Sequence, residues 1–245
     1  MIILKIGGSA FSDKHTGKSF VSLVARNVAK ELPKDEKVLI VQGAGFIGHS
    51  IASKYGLSKL SNNQNHWALL RYGVEQVSNR IAKALIDNGI SPFVMSAQQL
   101  FEIKGGKVLV KNLGIVKAYM DNGFIPIIHS DAPLDDRHGI SVLSGDNMAV
   151  ILANRLNAGK LVFGTDTDGL IGSSGDRIRR ISKRNLNNVS IIKREGTIDV
   201  SGGMKRKLEQ AASTKRGTAV YIIDLRRPGE LKKVLSGKGS GTLIY

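Results

Sequence analysis

The pattern of hydrophobic and polar positions alternates between two kinds of segment along the chain. Short apolar runs rich in β-branched residues are typical of buried strands, and they are separated by stretches with apolar residues at helical spacing. One run, residues 38–41, is followed by three glycines spaced Gly43-x-Gly45-x-x-Gly48, after which residues 47–55 have helical spacing. Strands that alternate with helices in this way predict a mostly parallel sheet with helices on both faces.

The same periodicities place the other elements. The pair Gly105-Gly106 within an alternating stretch predicts a hairpin over residues 101–110. We expect polar connections at residues 12–18 and 131–139. Predicted strands cover residues 2–6, 38–41, 90–95, 124–129, 159–163, 219–223 and 242–245. Predicted helices cover residues 20–32, 47–55, 66–87, 112–122, 199–215 and 228–235, and one more begins at residues 144–147.

The glycine loop at residues 43–48 favours an anion, because its N–H groups and the dipole of the following helix point at the same place. Its spacing also matches the dinucleotide fingerprint, which needs an acidic residue roughly 20 positions further on. Residues 50–70 contain no Asp or Glu, and no Gly-Lys-Ser/Thr sequence follows, so neither a dinucleotide loop nor a Walker loop is indicated. A plain strand-to-helix turn with His49 on the surface remains the alternative.

Two other strand ends carry charged side chains. Lys5 lies in the first strand, just before Gly7-Gly8-Ser9. A buried lysine is costly unless its ammonium meets an anion, so we interpret Lys5 as a phosphate ligand; a lysine that reaches solvent from an edge strand is the alternative. Asp166 and Asp168 follow a predicted strand and suit either a ligand site or a turn. Asp146 begins a helix, where capping is sufficient to explain it.

The glycine-bearing turns share one edge if the sheet is parallel. They are Gly7-Gly8, residues 43–48 and Gly202-Gly203. Lys5, Lys14 and Lys207 then point toward one place. Several backbone anion sites together with several lysines exceed what one phosphate needs. They suit two anionic groups held end to end, which is the arrangement of phosphoryl transfer.

Composition narrows the function classes. The 245 residues, 42% hydrophobic and 23% charged, suit one sizeable domain or two intimate lobes. A net charge of +16 attracts polyanions, yet aromatic residues make up only 5% of the chain, so nucleic acid is an unlikely main partner. Seven basic side chains within residues 173–194 are interpreted mainly as a solvated face near a nucleotide. The chain has no cysteine, no apolar run of membrane length and no signal-peptide pattern, so we expect a cytoplasmic protein.

Several motifs together resemble the amino-acid kinase superfamily over essentially the whole chain. They are Lys5-Ile6-Gly7-Gly8-Ser9, Gly43-Ala44-Gly45, Thr165-Asp166-Thr167-Asp168-Gly169, and Asp199-Val200-Ser201-Gly202-Gly203-Met204 with Lys207. Within that superfamily, the Gly-x-Gly-x-x-Gly-His sequence ending at His49, Lys14 in the first loop, and Ser144-Gly145-Asp146 are similar to isopentenyl phosphate kinases. The resemblance implies an α/β fold, a three-layer αβα sandwich with a mostly parallel central sheet.

The resemblance also implies an activity and a set of roles. It implies a homodimeric, Mg²⁺-dependent kinase that uses ATP to convert isopentenyl phosphate to isopentenyl diphosphate, with no protein side chain assigned to the metal. Residues 1–245 would form a single kinase domain with an acceptor-binding lobe at about 1–158 and a nucleotide-binding lobe at about 159–245. Lys5, Ile6, Gly7, Gly8, Ser9, Gly45, Asp166, Gly203 and Lys207 would bind ATP; Ala44, His49 and Gly145 would bind the acceptor phosphate; Lys5, Lys14, His49 and Lys207 would be catalytic.

The chain departs from the family pattern on the acceptor side. Gln42 stands where the family usually has a His, Phe46-Ile47 where it has a small residue and Phe, Asn147 where it often has Asp, and Ser130 where it has Gly. A kinase of the same fold with another acceptor therefore stays open, a phosphonate such as fosfomycin first and a carboxylate second. A non-catalytic basic nucleotide- or nucleic-acid-binding protein is the third reading. We interpret Trp67 and Tyr72 as core residues; the alternative is that they line the wall of a pocket.

Overall fold

The predicted alternation of strands and helices forms one large sheet with helices packed against it. The structure is a computed structural model that describes residues 1–13, 19–57, 63–188 and 203–245. Its strands are β1 (Ile2–Ile6), β2 (Val38–Gln42), β3 (Pro92–Ser96), β4 (Phe101–Lys104), β5 (Lys107–Val110), β6 (Ile125–His129), β7 (Leu134–Asp135), β8 (Gly139–Ile140), β9 (Lys160–Thr165), β10 (Leu170–Ile171), β11 (Arg177–Ile178), β12 (Arg180–Ile181), β13 (Ala219–Asp224) and β14 (Thr242–Ile244). Its helices are α1 (Gly8–Phe11), α2 (Val21–Glu31), α3 (Gly45–Lys54), α4 (Gln64–Ile86), α5 (Ala97–Leu100), α6 (Leu113–Asp121), α7 (Gly145–Arg155), α8 (Gly203–Ala212), α9 (Glu230–Leu235) and a 3₁₀ turn at Lys183–Asn188.

The central sheet has the strand order β12-β14-β13-β9-β1-β2-β6-β3. Strands from β13 through β9, β1, β2 and β6 to β3 pair in parallel, and β14 runs antiparallel to β13. Alternate residues of β1 enter different apolar clusters, Ile3 on the α7 side and Ile2 and Leu4 on the side of α2 and α4. The sheet is therefore buried on both faces, and the predicted α/β fold with its mostly parallel sheet is confirmed.

The glycine-containing hairpin forms as predicted. Strands β4 and β5 pair antiparallel, and Gly105 and Gly106 both have positive φ. The expected polar connection at residues 131–139 is wrong in one respect, because it contains β7 and the start of β8, which join the hairpin in a four-stranded sheet. Strands of two residues are too short to show alternation in a sequence, which is why they were not predicted.

The basic segment at residues 173–194 is less exposed to solvent than predicted. Lys183 Nζ donates to the carbonyl oxygens of Thr214, Lys215 and Thr218 at 3.1–3.4 Å, just beyond the end of α8. Arg177 pairs with Asp168. Part of this positive charge therefore holds the fold together. Residues 189–194 of the segment lie outside the described residues.

Helix α2 ties the two ends of the chain together. Asn27 Nδ2 donates to the carbonyl oxygens of Leu225 at 3.0 Å and Arg226 at 3.3 Å. The carboxylate of Glu31 accepts from the backbone N–H groups of Gly229 at 2.6 Å and Lys232 at 3.0 Å. Gly229 is the N-cap residue of α9 and has no capping side chain of its own, so Glu31 supplies that cap from another helix.

We expect Glu31→Ala to lower the free energy of unfolding by about 1 kcal/mol, the usual effect of losing a helix cap. For a chain of this size that is a fall in melting temperature of roughly 2–4 °C. Lys232→Ala is the matched control, because it shortens the side chain but keeps the backbone N–H that Glu31 binds. Differential scanning calorimetry measures both variants; equal melting temperatures for them would show that the cap contributes nothing.

Candidate active site

Three helix starts meet at the carboxyl edge of the sheet, and glycine makes the contacts between them. A Cβ added at Gly8, the first residue of α1, would lie 2.6 Å from Cα of Gly45, the first residue of α3. A Cβ at Gly145, the first residue of α7, would lie 3.1 Å from Cα of Gly43. Gly45 has φ +65°, and a Cβ there would lie 2.6 Å from the ring of Phe11. The predicted glycine loops at residues 7–8 and 43–48 are therefore packed against each other.

The ammonium of Lys5 lies at the centre of this glycine cluster. Its Nζ is 3.5 Å from the position that a Cβ at Gly43 would take and 3.6 Å from the equivalent position at Gly7. Lys5 is only 5% exposed and stands in β1, in the middle of the sheet. The alternative of an edge-strand lysine that reaches solvent is thus wrong.

Asp146, in the first turn of α7, lies between two lysines. Its carboxylate is 2.5 Å from Lys5 Nζ and 3.1 Å from Lys207 Nζ. Burial acts to raise the pKa of Asp146, but the charges of Lys5 and Lys207 outweigh it and lower the pKa to about 2. Burial lowers the pKa of Lys5, an effect that Asp146 opposes and Lys207 reinforces. One carboxylate therefore serves two ammonium groups, and the cluster keeps a net positive charge.

This role of Asp146 was missed, since the sequence explained the residue as a helix cap. The cap is Ser144, whose hydroxyl accepts from the backbone N–H of Asn147 at 3.2 Å. The signal was in the sequence: a Ser two positions before Asp146 already supplies the capping oxygen. That leaves the carboxylate available to a partner from elsewhere in the fold.

Helix α3 forms the other side of the site. Its N-cap residue, Ala44, offers no side-chain acceptor to the first N–H groups of the helix. His49 lies one turn after Gly45, on the same face of α3, and is exposed. Phe46 is 43% exposed, whereas Ile47, 37% exposed, places its Cγ2 only 2.7 Å from where a Cβ at Gly73 of α4 would lie. The start of α3 therefore carries backbone donors and, one turn later, an exposed imidazole.

A buried polar group lies at the ends of β2 and β6. Gln42 is fully buried, and neither atom of its amide has a hydrogen-bond partner among the described residues. Its neighbour in register is His129, whose Nδ1 donates to the carbonyl oxygen of Ser130 at 3.3 Å. Burial lowers the pKa of His129, which keeps the ring neutral. Asp131, two residues after His129, extends this polar group to α4, because its Oδ2 lies 3.8 Å from Nη1 of Arg71.

The two acidic residues after β9 have different surroundings. Asp168 pairs with Arg177 at 2.5 Å and Arg227 at 3.2 Å, and Gly169 has φ +86°, so this part is a turn held by ion pairs. Asp166 faces Asp224 at the end of β13, where burial raises the pKa of Asp224 and the charge of Asp166 adds to the shift. Asp166 is therefore next to the strand ends but is not part of the Asp146 cluster.

The remaining predicted site residues are placed as follows. The carbonyl oxygen of Ile6 accepts from the backbone N–H of Gly43 at 3.0 Å, which joins β1 to the second glycine loop. Ser9 is the second residue of α1, and Gly203 begins α8, the helix that carries Lys207. Lys14 and Gly202 lie outside the described residues. The structure thus brings together Lys5, Gly7, Gly8, Gly45, Gly145 and, through Asp146, Lys207.

The residues present fit a polyphosphate. The N-cap residues of α1 and α3 are Gly7 and Ala44, and neither of them supplies a side-chain acceptor to the first N–H groups of its helix. Two ammonium groups stand beside them. In the described ranges, no group of three or more His, Asp or Glu side chains is placed to hold a metal ion. The same residues contain no helix that is long and apolar enough to cross a membrane.

Comparison with known proteins gives one consistent family. The sequence profile of the amino acid kinase family matches residues 1–224. The chain is 29% identical to an isopentenyl phosphate kinase of Methanocaldococcus jannaschii, over 100% of this chain and 98% of that protein. It is 27% identical to an acetylglutamate kinase of Dehalococcoides mccartyi, over 100% of this chain and 94% of that protein. A crystallised isopentenyl phosphate kinase superposes with a TM-score of 0.81 at 25% identity, over the full length of both chains.

The Asp146 cluster predicts a pH-dependent loss of stability. The pKa of Asp146 is lower in the folded protein than in the unfolded chain, where it is about 3.9, so its contribution is complete above that value and disappears as the pH falls toward 2. We expect Asp146→Asn to lose about 2–3 kcal/mol of unfolding free energy at pH 7, and the difference from the wild type to shrink below pH 4.

Urea unfolding between pH 7 and pH 3 measures this difference. Asp176→Asn is the control, because Asp176 is an exposed carboxylate, whereas the ion pairs of both lysines are with Asp146. A constant gap between the wild type and Asp146→Asn across the pH range would mean that the carboxylate acts through packing and not through its charge.

Proposed function

The chain belongs to the amino acid kinase family, and on that premise we propose that it transfers the γ-phosphoryl group of ATP to isopentenyl phosphate, giving isopentenyl diphosphate and ADP. The observation that carries this proposal is the buried Lys5–Asp146–Lys207 cluster beside three glycine helix starts. Such a cluster suits two polyanionic reactants that have to be held close together. We choose isopentenyl phosphate as the acceptor because relatives and solved structures that match over the full length are named isopentenyl phosphate kinase.

Phosphoryl transfer requires the protein to offset the charge of the reactants and to position them. A phosphate monoester has a second pKa of about 6, so the acceptor is largely a dianion at neutral pH and needs no general base. An oxygen of the acceptor phosphate forms the new bond to the γ-phosphorus while the bond from that phosphorus to the β–γ bridging oxygen breaks. With a pKa of about 2, Asp146 is ionised throughout and takes no proton. Its part is to hold Lys5 and Lys207 beside the phosphates.

On the ATP side, we assign the phosphates to residues 5–9, Gly45, Gly203 and Lys207. Asp166 would face the nucleotide from the end of β9. Mg²⁺, carried by the phosphate oxygens of ATP, would offset their charge in the transition state. In this proposal residues of about 159–245 form the nucleotide-binding lobe and residues of about 1–158 the acceptor-binding lobe of one kinase domain.

On the acceptor side, Ala44, His49 and Gly145 would hold the acceptor phosphate. The start of α3 and the start of α7 supply backbone N–H groups, and His49 supplies a side-chain donor on the face of α3 that carries Gly45. Lys14 would act between the two anions, although it lies outside the described residues.

The isoprenoid tail requires an apolar wall. Between α3 and α4, Leu57, Leu70 and Val74 form a small buried cluster, and Trp67 and Ala44 pack against it. We propose that this cluster continues the acceptor site beyond Ala44. Tyr72, expected in the core, is 61% exposed and does not belong to the cluster.

We further propose that the protein acts as a cytoplasmic homodimer and that nucleic acid is not its main partner. A second acceptor class has one observation in its favour. The amide of buried Gln42, which has no hydrogen-bond partner among the described residues, stands directly before Gly43, so the acceptor side is more polar than an isoprenoid tail alone requires. A phosphonate such as fosfomycin is the alternative acceptor, and a carboxylate comes after it.

We expect rapid ADP release from Mg-ATP with isopentenyl phosphate, and slower release with fosfomycin or with N-acetylglutamate. A coupled ADP assay measures all three acceptors at equal concentration. Because the glycine cluster and both lysines bind ATP in every case, the rates differ only through the acceptor side of the site. Turnover confined to fosfomycin or N-acetylglutamate would reassign the substrate but keep the kinase; ATP binding without turnover would favour a non-catalytic protein.

We expect His49→Ala to lower kcat on the order of 100-fold, the usual cost of removing one transition-state donor, and to leave the Kd for ATP nearly unchanged. Single-turnover kinetics and calorimetric titration of ATP measure the two quantities. His138→Ala is the matched control, since His138 is another exposed histidine, and it contacts Asp135, away from the glycine cluster. An unaltered kcat would remove His49 from the mechanism.

A further inference from the structure

We propose that Arg226 is a positioning residue for ATP: its guanidinium fixes α1, and with it Gly8 and Ser9, where the phosphates bind. The inference rests on the proposed ATP-dependent activity. Arg226 lies just beyond β13, more than 200 residues along the chain from α1, and none of the motifs of the sequence includes it.

The guanidinium binds the carbonyl end of α1. Arg226 Nε donates to the carbonyl oxygen of Ala10 at 3.1 Å. Its Nη2 donates to the carbonyl oxygens of Ser9 at 2.5 Å and Ser12 at 3.3 Å. A helix of one turn is not stable by itself, and its last carbonyls need partners. Arg226 supplies a positively charged partner to three of them at once.

The same guanidinium also touches the segment that follows. It lies over the ring of Phe20, 3.9 Å from the ring centroid. The backbone N–H of Phe20 donates to the carbonyl oxygen of Phe11 at 2.8 Å, and Ser12 and Ser19 form an isolated bridge. Arg226 thus contacts the segment that ends α1 and the segment that begins α2, where Ser12 and Ser19 pair with each other.

Arg226 is itself held in place. Its backbone N–H donates to the Asp224 carboxylate at 2.9 Å, and its carbonyl oxygen accepts from Asn27 Nδ2 at 3.3 Å. The backbone of Arg226 is therefore held by Asp224 at the end of β13 and by Asn27 of α2. Both elements pack into the same apolar cluster. Because the backbone of Arg226 is held there, its guanidinium holds α1 at a fixed place relative to β13 and α2.

A small movement of α1 matters because its start has no spare room. The Cβ position of Gly8 is 2.6 Å from Cα of Gly45, so α1 and α3 touch backbone to backbone. A shift of α1 would move Gly8 and Ser9 relative to Gly45, and we assign all three residues to ATP. A lysine at position 226 would keep the charge but not the planar fork that reaches three carbonyls while stacking on Phe20.

Arg226→Lys tests the inference, and Arg216→Lys, at an exposed site, is the control. We expect Arg226→Lys to raise the Kd and KM for ATP about tenfold, as for the loss of one charged hydrogen bond, with kcat and the KM for the acceptor within about threefold of wild type. Arg226→Gln, which loses the charge as well, should weaken ATP binding further.

Calorimetric titration with ATP alone separates this inference from the choice of acceptor, since it needs no turnover. An unchanged Kd for ATP in a folded Arg226→Lys protein would overturn the proposal. A fall in melting temperature with equal losses toward both substrates would also overturn it, because that is the pattern of general destabilisation. Normal ATP affinity in the wild type without any phosphoryl transfer would defeat the proposed function but leave the Arg226 comparison valid.

Discussion

The structure of the site depends on a single carboxylate shared by the buried Lys5 and the partly buried Lys207. An ammonium taken out of water costs several kcal/mol unless an opposite charge meets it, and Lys5 is almost completely buried. Asp146 offsets that cost for Lys5 and Lys207 together, so the chain can keep both at the centre of the fold without a ligand. Because one negative charge faces two positive ones, the cluster remains attractive to an anion.

Close packing of backbone is the second constraint. Where α1, α3 and α7 begin, a single methyl group at Gly8 would overlap a neighbouring main chain, and one at Gly145 would press closely against it. The glycines therefore bring helix N-termini closer to one another than other residues allow. The positive ends of those helices and the lysine cluster then act on the same small volume. The capacity of this volume to attract an anion therefore comes from main-chain geometry, with side chains adding charge to it.

The local parts of this arrangement were predictable, and the long-range parts were not. The parallel sheet follows from the periodicity, and Lys5 and the glycine loops were identified because each is read from a few consecutive residues. The pairing of Asp146 was not, since its partners stand 141 and 61 residues away in sequence. Lys183 was assigned to a solvated face for the same reason: the carbonyls that it binds lie beyond α8. Strands of two residues carry no periodic signal at all.

Selectivity for the acceptor follows a different logic from that of ATP binding. In the proposed function, the ATP half of the site relies on main-chain groups and charges that any triphosphate would satisfy. The proposed acceptor half combines backbone N–H groups at the starts of α3 and α7 with His49 and with apolar side chains between α3 and α4, and it lies beside the residues at the end of β2. There Gln42 is buried with no partner for its amide among the described residues, a state that costs about 1–3 kcal/mol. A polar partner, from a ligand or from water, would recover that cost, so this one side chain limits how apolar the proposed acceptor site can be beside Gly43.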